Sequence, residues 1–249
     1  MKTAVLIQAR LGSTRLPGKM TLAFDQEAGI FEILLQKLVQ IEDLPIYLVT
    51  SQRSENDELE EIANAYGVGV FRGSEEDVLD RFIKAADQFD VERVVRVCAD
   101  NPFLSVPKLK ELIALSNANL DADYCSFAIG GKAVILHHLG LFCEVVKTSA
   151  LKKAYRLTQD TLYLEHVTNF IYTHLDIFKV CLHELGEDYI AHQHIRLTVD
   201  TLNDFNLAAR IFKAVKDKEF KDALSLLQFI DQNEEWTSVM KNEIVKNTK

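Results

Sequence analysis

Residues 3–7 form an unbroken apolar run of strand length that ends on the polar Gln8. Such a run reads as a strand buried on both faces. Over residues 30–41 the period changes, and Ile30, Ile33, Leu34, Leu38 and Ile41 share one helical face. Residues 46–49 predict a second strand. Ser54 is placed to cap the next helix, Asp57 falls in its first turn, and Gly67 stops it. Residues 68–71 predict a third strand. Ser74 is placed to cap a helix over 75–89, which turns Val78, Leu79, Phe82, Ile83 and Ala86 inward. Residues 93–98 predict a fourth strand. This alternation is the pattern of a mostly parallel sheet with helices on both faces.

The pattern then loosens. It predicts a helix over 107–116, then strands over 124–129 and 141–146 around Gly130, Gly131 and Gly140. Helices over 149–156 and 162–174 follow, then strands over 178–182 and 195–199. Two or three amphipathic helices lie beyond Asn203. No Pro/Gly/Ser linker, repeat or low-complexity tract interrupts the chain. The expected architecture is one α/β domain over residues 1–249. A small sheet excursion lies near 124–146, and a helical C-terminal extension starts near residue 215.

The 249 residues are 48% hydrophobic, enough for a large core, and the net charge is −9. An acidic chain gains no general attraction to nucleic acid or to an anionic membrane, so neither partner is expected. No apolar stretch approaches the ~20 residues of a membrane span. The four cysteines include no C-x-x-C pair and read as buried free thiols, which fits a cytoplasmic protein. His137-His138 and His192-x-His194 lack the companions of a structural zinc site, and no zinc is expected.

One stretch departs from the acidic balance. No Asp or Glu precedes Asp25, whereas Lys2, Arg10, Arg15 and Lys19 do. Residues 8–19, QARLGSTRLPGK, follow the first strand, and open α/β sheets bind ligands at that edge. Gly12 and Gly18 let backbone N–H groups approach phosphate oxygens, and Ser13 and Thr14 add hydroxyl donors. Arg10, Arg15 and Lys19 supply charge, the arginines in forked geometry. The spacing excludes a Walker loop, because five residues separate Gly12 from Gly18 and Met20 follows Lys19. A dinucleotide fingerprint is absent as well. A triphosphate calls for a divalent ion with oxygen ligands. Asp100 and Asp200 close two predicted strands and are the candidates for magnesium.

QARLGSTRLPGK resembles the N-terminal signature of the sugar cytidylyltransferases. These include the CMP-KDO synthetases, the acylneuraminate cytidylyltransferases and, most similar, the spore coat polysaccharide biosynthesis protein F family. GSEEDVLDRF (73–82), RVCADNPF (96–103), EHVTNFIY (165–172) and LTVDTLNDF (197–205) extend the resemblance in order. It implies a nucleotide-diphospho-sugar transferase fold, CTP as donor, and a sugar acceptor whose hydroxyl attacks the α-phosphate. The products would be a CMP-sugar and pyrophosphate. By the same resemblance Arg10, Arg15 and Lys19 are catalytic, and Gln8, Ala9, Arg10, Gly12, Ser13, Thr14, Lys19, Asp77 and Arg81 bind the nucleotide. Asp100 and Asp200 bind Mg²⁺, and Glu144, Glu165 and His166 face the acceptor.

The family usually carries an Arg-Thr-Phe-Pro element and an aspartate before the helix near 150. Here the segment reads AVILHHLGLFCEVV, with Phe142 at the aspartate's place. The sugar is therefore open. Two alternatives stand beside activation by CTP: a glycosyltransferase on the same fold, and a silent nucleotide-binding homologue. Relatives often pair through the sheet excursion, so the apolar run at 133–146 also raises the expectation of a homodimer.

Overall fold

A computed structural model describes residues 1–247. Four parallel neighbours form the heart of the sheet: β1 (Thr3–Gln8), β2 (Ile46–Ser51), β3 (Gly69–Gly73) and β4 (Arg93–Cys98). Between them run α1 (Ile30–Leu38), α2 (Asp57–Ala65) and α3 (Val78–Gln88). After β4 come α4 (Val106–Ala118), β5 (Tyr124–Ile129), the short β6 (Lys132–Ala133) and β7 (Glu144–Lys147). Then follow α5 (Thr148–Leu157), α6 (Thr161–Glu165), α7 (Asn169–Thr173) and β8 (Val180–Glu184). The chain closes with α8 (Leu202–Val215), α9 (Ala223–Asp231) and α10 (Glu234–Lys246). The strand order is β3-β2-β1-β4-β7-β5-β6, with β8 paired to β5.

This is the expected α/β architecture, a central sheet with helices on both faces. One face buries Val5, Ile7, Val95 and Val97 against α1, α4 and the C-terminal helices. The other buries Ala4, Leu6 and Val94 against α3, α5 and α7. In α3 the inward residues are Val78, Leu79, Phe82, Ile83 and Ala86, as the periodicity predicts. Each large apolar side chain so buried contributes roughly 1.5–3 kcal/mol.

Several boundaries differ from the sequence pattern. The segment near 124–146 is not an excursion from the sheet. Strand β7 enters it antiparallel between β4 and β5, pairing Arg96 with Glu144 and Ser126 with Glu144. Its apolar run is spent on this chain's own core, since Val134, Leu139, Leu141 and Cys143 are buried. Leu136 in the same run is 43% exposed, and Ile135 and Phe142 are half-buried.

Residues 195–199 are extended but join no ladder. Ile195, Leu197 and Val199 alternate into the core as a strand would. Their N–H groups are spoken for by loops instead: Leu197 donates to the His138 carbonyl and Val199 to that of Asp100. The helix expected over 162–174 breaks into α6 and α7. The break lets Thr168 turn its hydroxyl to the buried Glu144, a bond of 2.9 Å. The expected caps shift too. Ser54 opens a 3₁₀ turn, and α2 begins only at Asp57. Ser74 accepts from the Asp77 amide, and Asp77 caps α3 by accepting from Asp80 at 2.8 Å.

Candidate active site

A cavity of about 650 Å³ opens beyond the carboxyl ends of β1 and β4. Its walls include Gln8, Arg15, Arg96, Asp100, Glu165 and Asp200. The loop after β1 reaches it because apolar residues pin the loop from beneath. Ala9, Leu11, Leu16 and Met20 are buried in the core. The Leu11 amide donates to the side-chain Oδ1 of the buried Asn56 at 2.8 Å, and the Gly18 amide closes back on the Leu11 carbonyl at 3.1 Å. Gly18 sits at φ +69°, in the left-handed region that favours glycine. Between the anchors, Thr14 and Arg15 are exposed, and Gly12 and Ser13 are half-buried. These residues stand at the rim, and of the four only Arg15 lines the wall.

Lys19 points the other way. It is 6% exposed, and its ammonium donates to the Val199 carbonyl at 2.6 Å. Asp100 lies 3.3 Å from it and Asp200 3.6 Å. The two aspartates, a hundred residues apart in the chain, thus converge on one ammonium. Arg15 adds a contact to Asp200 at 3.1 Å. The second oxygen of Asp100, Oδ1, is buried and has no hydrogen-bond partner among the described residues. A buried carboxylate oxygen is rarely left so, and one on a residue that lines a cavity marks a place for a cation or a donor.

Asp200 is fixed from behind. Arg196 forks onto Asp204 with bonds of 2.8 and 2.9 Å and reaches Asp200 at 2.8 Å. Thr201, not Asp200, caps α8, and it shares a capping box with Asp204. The Asp200 carboxylate, held by Arg196 on one oxygen and by Arg15 and Lys19 on the other, lines the cavity. Gly140 completes this corner at φ +61°, where an added Cβ would lie 3.0 Å from the Leu197 carbonyl carbon.

The floor is a buried polar network. Arg96 donates from Nε and Nη2 to the side-chain Oε1 of Gln8 at 3.2 and 2.9 Å, and from Nη1 to Glu144. Glu144 also accepts from Tyr124 and Thr168. Burial, and then the Glu144 charge, hold the Tyr124 phenol well above its ordinary pKa. The same two causes push Tyr172, in the cavity wall, up to about 12. Both phenols are donors at neutral pH.

Of the residues picked from the sequence, Gln8, Arg15, Asp100, Asp200, Glu165 and His166 line the cavity. Lys19 stands behind the two aspartates. Arg10 bridges Glu75 at 3.2 Å and Glu165 at 3.6 Å beside the cavity. Glu144 lies beneath the floor with its oxygens engaged, so it meets the cavity through Arg96 and Thr168, which line it. Asp77 and Arg81 are not in the wall. Arg81 is fully buried and donates to the Ser74 carbonyl, while its Nε and Nη2 have no hydrogen-bond partner among the described residues. Burial pushes its pKa down to about 10, against the pull of Glu75.

Arg96, Thr168, Tyr172 and Thr198 were not picked out. Arg96 had a signal, a cation in the middle of the buried run RVVRVC, where an unpaired charge is costly. The segment 134–137 also lines the wall, joined by Phe142 and by Lys246 and Asn247 at the end of α10.

Comparison with known proteins bears on the family and the fold. The sequence matches the Cytidylyltransferase family over residues 4–243. It is 36% identical over 243 residues to an uncharacterised protein of Methanocaldococcus jannaschii, covering 97% of this chain and 96% of that one. It is 30% identical over 234 residues to the spore coat polysaccharide biosynthesis protein SpsF of Bacillus subtilis, covering 92% and 93%. The solved structure of a cytidylyltransferase from Leptospira borgpetersenii superposes with a TM-score of 0.83 at 28% identity, covering 97% of this chain and 98% of that one.

Proposed function

The chain belongs to the cytidylyltransferase family, and from that premise we propose that it transfers CMP from CTP to a sugar hydroxyl, releasing pyrophosphate. The observation that carries this reading is the meeting of Asp100 and Asp200 on Lys19, at the sheet edge where the basic loop ends. The strand order, with one antiparallel strand inserted beyond β4, supports a nucleotide-diphospho-sugar transferase fold.

Magnesium fits the carboxylate pair, because Asp100 Oδ1 is a buried, hard oxygen donor without a partner. Asp100 and Asp200 would hold the ion. When bound, it would neutralise phosphate charge and help orient the reacting oxygens. The protein's own groups do the rest. Arg15, in the cavity wall, would stabilise charge that builds on the phosphates as the pyrophosphate leaves, and Lys19 would join it once its aspartates hold the ion. Gln8, its side-chain Oε1 engaged by Arg96, is left with an amide donor for an acceptor atom of the base. On this reading the acceptor would lie against Val134, Ile135, Leu136, Phe142, His166 and Asn169, all of which line the cavity. Those apolar side chains suit a sugar with an apolar face or substituent. A cytoplasmic setting fits four cysteines that are all free thiols, and no described helix is long and apolar enough to cross a membrane.

The test is pyrophosphate release with each of the four common nucleoside triphosphates, magnesium and a panel of sugars. CTP should be preferred. Asp100→Ala should abolish release while circular dichroism stays unchanged. Release that survived this substitution would refute the assignment of the metal carboxylates.

A further inference from the structure

On the opposite face of the sheet from Gln8, Arg96 and Glu144 lies a second cluster of reactive side chains. Strands β5 and β8 run parallel, with Cys125 and Cys181 as register partners. His183 is two residues beyond Cys181, so strand periodicity puts it on the same face. Cys125 is buried beside α4, and Cys181 and His183 are half-buried on the edge strand. The Cys181 sulfur lies 3.4 Å from His183 Nε2, and one ligand atom from each of the three residues lies within 4.8 Å of the others. A tetrahedral zinc ion, with Zn–S bonds of about 2.3 Å and Zn–N bonds of about 2.0 Å, holds sulfur and nitrogen about 3.6 Å apart. The S···N edge is already set to within a few tenths of an ångström, and the third ligand is within reach of a side-chain rotation.

We propose that Cys125, Cys181 and His183 form a binding site for one zinc ion, separate from the catalytic cavity. None of the three lines that cavity. Two thiolates and an imidazole select zinc over magnesium, which prefers oxygen. Binding releases the two thiol protons as two Zn–S bonds form, and no electrons move. The half-exposed side of the cluster admits a water as fourth ligand. The ion would clip β8 to the sheet. Among the described residues β8 pairs only with β5, so it is an edge strand with few other ties. Sequence spacing gave no hint of this site, because the ligands are brought together by strand pairing rather than by a short motif.

The experiment uses the reduced, metal-free full chain in excess magnesium, titrated with cobalt(II) and then zinc(II). One equivalent of cobalt should give near-ultraviolet thiolate charge-transfer bands that zinc abolishes. Cys181→Ala, at a half-exposed edge position, should lose the bands while its circular dichroism stays native. Asp100→Ala should keep them, which separates this site from the catalytic carboxylates. Bands that persist in Cys181→Ala, or cobalt bound without any such bands, would overturn the proposal. So would a Cys125–Cys181 disulfide in the isolated protein whose reduction leaves no zinc bound.

Discussion

Lys19→Met removes the one ammonium on which Asp100 and Asp200 converge and keeps most of the side chain's volume. At 3.3 and 3.6 Å, and with an effective dielectric of about 20, each gross Coulomb attraction is about 5 kcal/mol. Desolvation of a lysine only 6% exposed offsets most of that. Breaking a buried ion pair costs about 3–5 kcal/mol in general, because it strands the remaining charge. The cost here is smaller, since Arg15 and Arg196 still hold Asp200. A loss of roughly 2–3 kcal/mol is expected, or roughly 5–10 °C in melting temperature for a chain of this size. The second readout decides the mechanism. With Lys19 gone, the carboxylates have lost their internal cation, so magnesium should raise the melting temperature of Lys19→Met more than that of the wild type. Turnover should fall about 10²–10³-fold, as when a donor to transition-state charge is lost. Equal magnesium shifts in the two proteins would refute the claim that the ion and the ammonium share one pair of carboxylates.

Glu144→Gln keeps the shape of the floor but leaves the Arg96 guanidinium without its anion, at a cost of about 3 kcal/mol in urea unfolding. Gln8 then loses its fixed orientation, so the KM for CTP should rise more than kcat falls; an unchanged KM would show that the floor does not position the nucleotide. Lys37 is half-buried, donates to the Pro102 carbonyl, and has its pKa lowered by burial to about 8. Its folded pKa lies below the unfolded value of 10.5, so the charged form is disfavoured in the native state and stability rises with pH from about 8 to about 10. Lys37→Met should remove that rise, and any advantage it has near pH 7 should shrink by about 2–3 kcal/mol across the window; parallel stability curves for the two proteins would sink this.

The first hundred residues were legible because β1 and β4 are buried on both faces and each helix shows one apolar stripe. Periodicity carries that information fully. It failed where partners come from elsewhere in the chain. Residues 195–199 have the alternation of a strand, yet their hydrogen bonds go to His138 and Asp100, which no local pattern could name. The break between α6 and α7 exists because Thr168 turns to Glu144, a residue 24 positions earlier. The loop after β1 was legible through its own composition. The floor of the cavity was half-legible: Arg96 stands out in an apolar strand, but its anion sits on the inserted strand β7. The zinc cluster was invisible for the same reason, being a product of β5–β8 register.

The site solves a problem that its chemistry creates. A triphosphate site needs several cations close together, and a metal site needs bare carboxylates, yet an empty protein can leave neither uncompensated. Here each set neutralises the other. Lys19 rests between Asp100 and Asp200, Arg15 on Asp200, and Arg10 between Glu75 and Glu165. On the proposed reading, a nucleotide arriving with its magnesium would carry both complements at once: Asp100 and Asp200 would hold the ion, and Arg10, Arg15 and Lys19 would be left for the phosphates. Either component alone would separate an internal pair and leave one half unmatched. The free energy of binding one should therefore depend on the other, and by linkage the dependence is reciprocal. That reciprocity ties the acidic pair to the basic loop more firmly than nearness alone, and it is the quantity that the magnesium response of Lys19→Met reads.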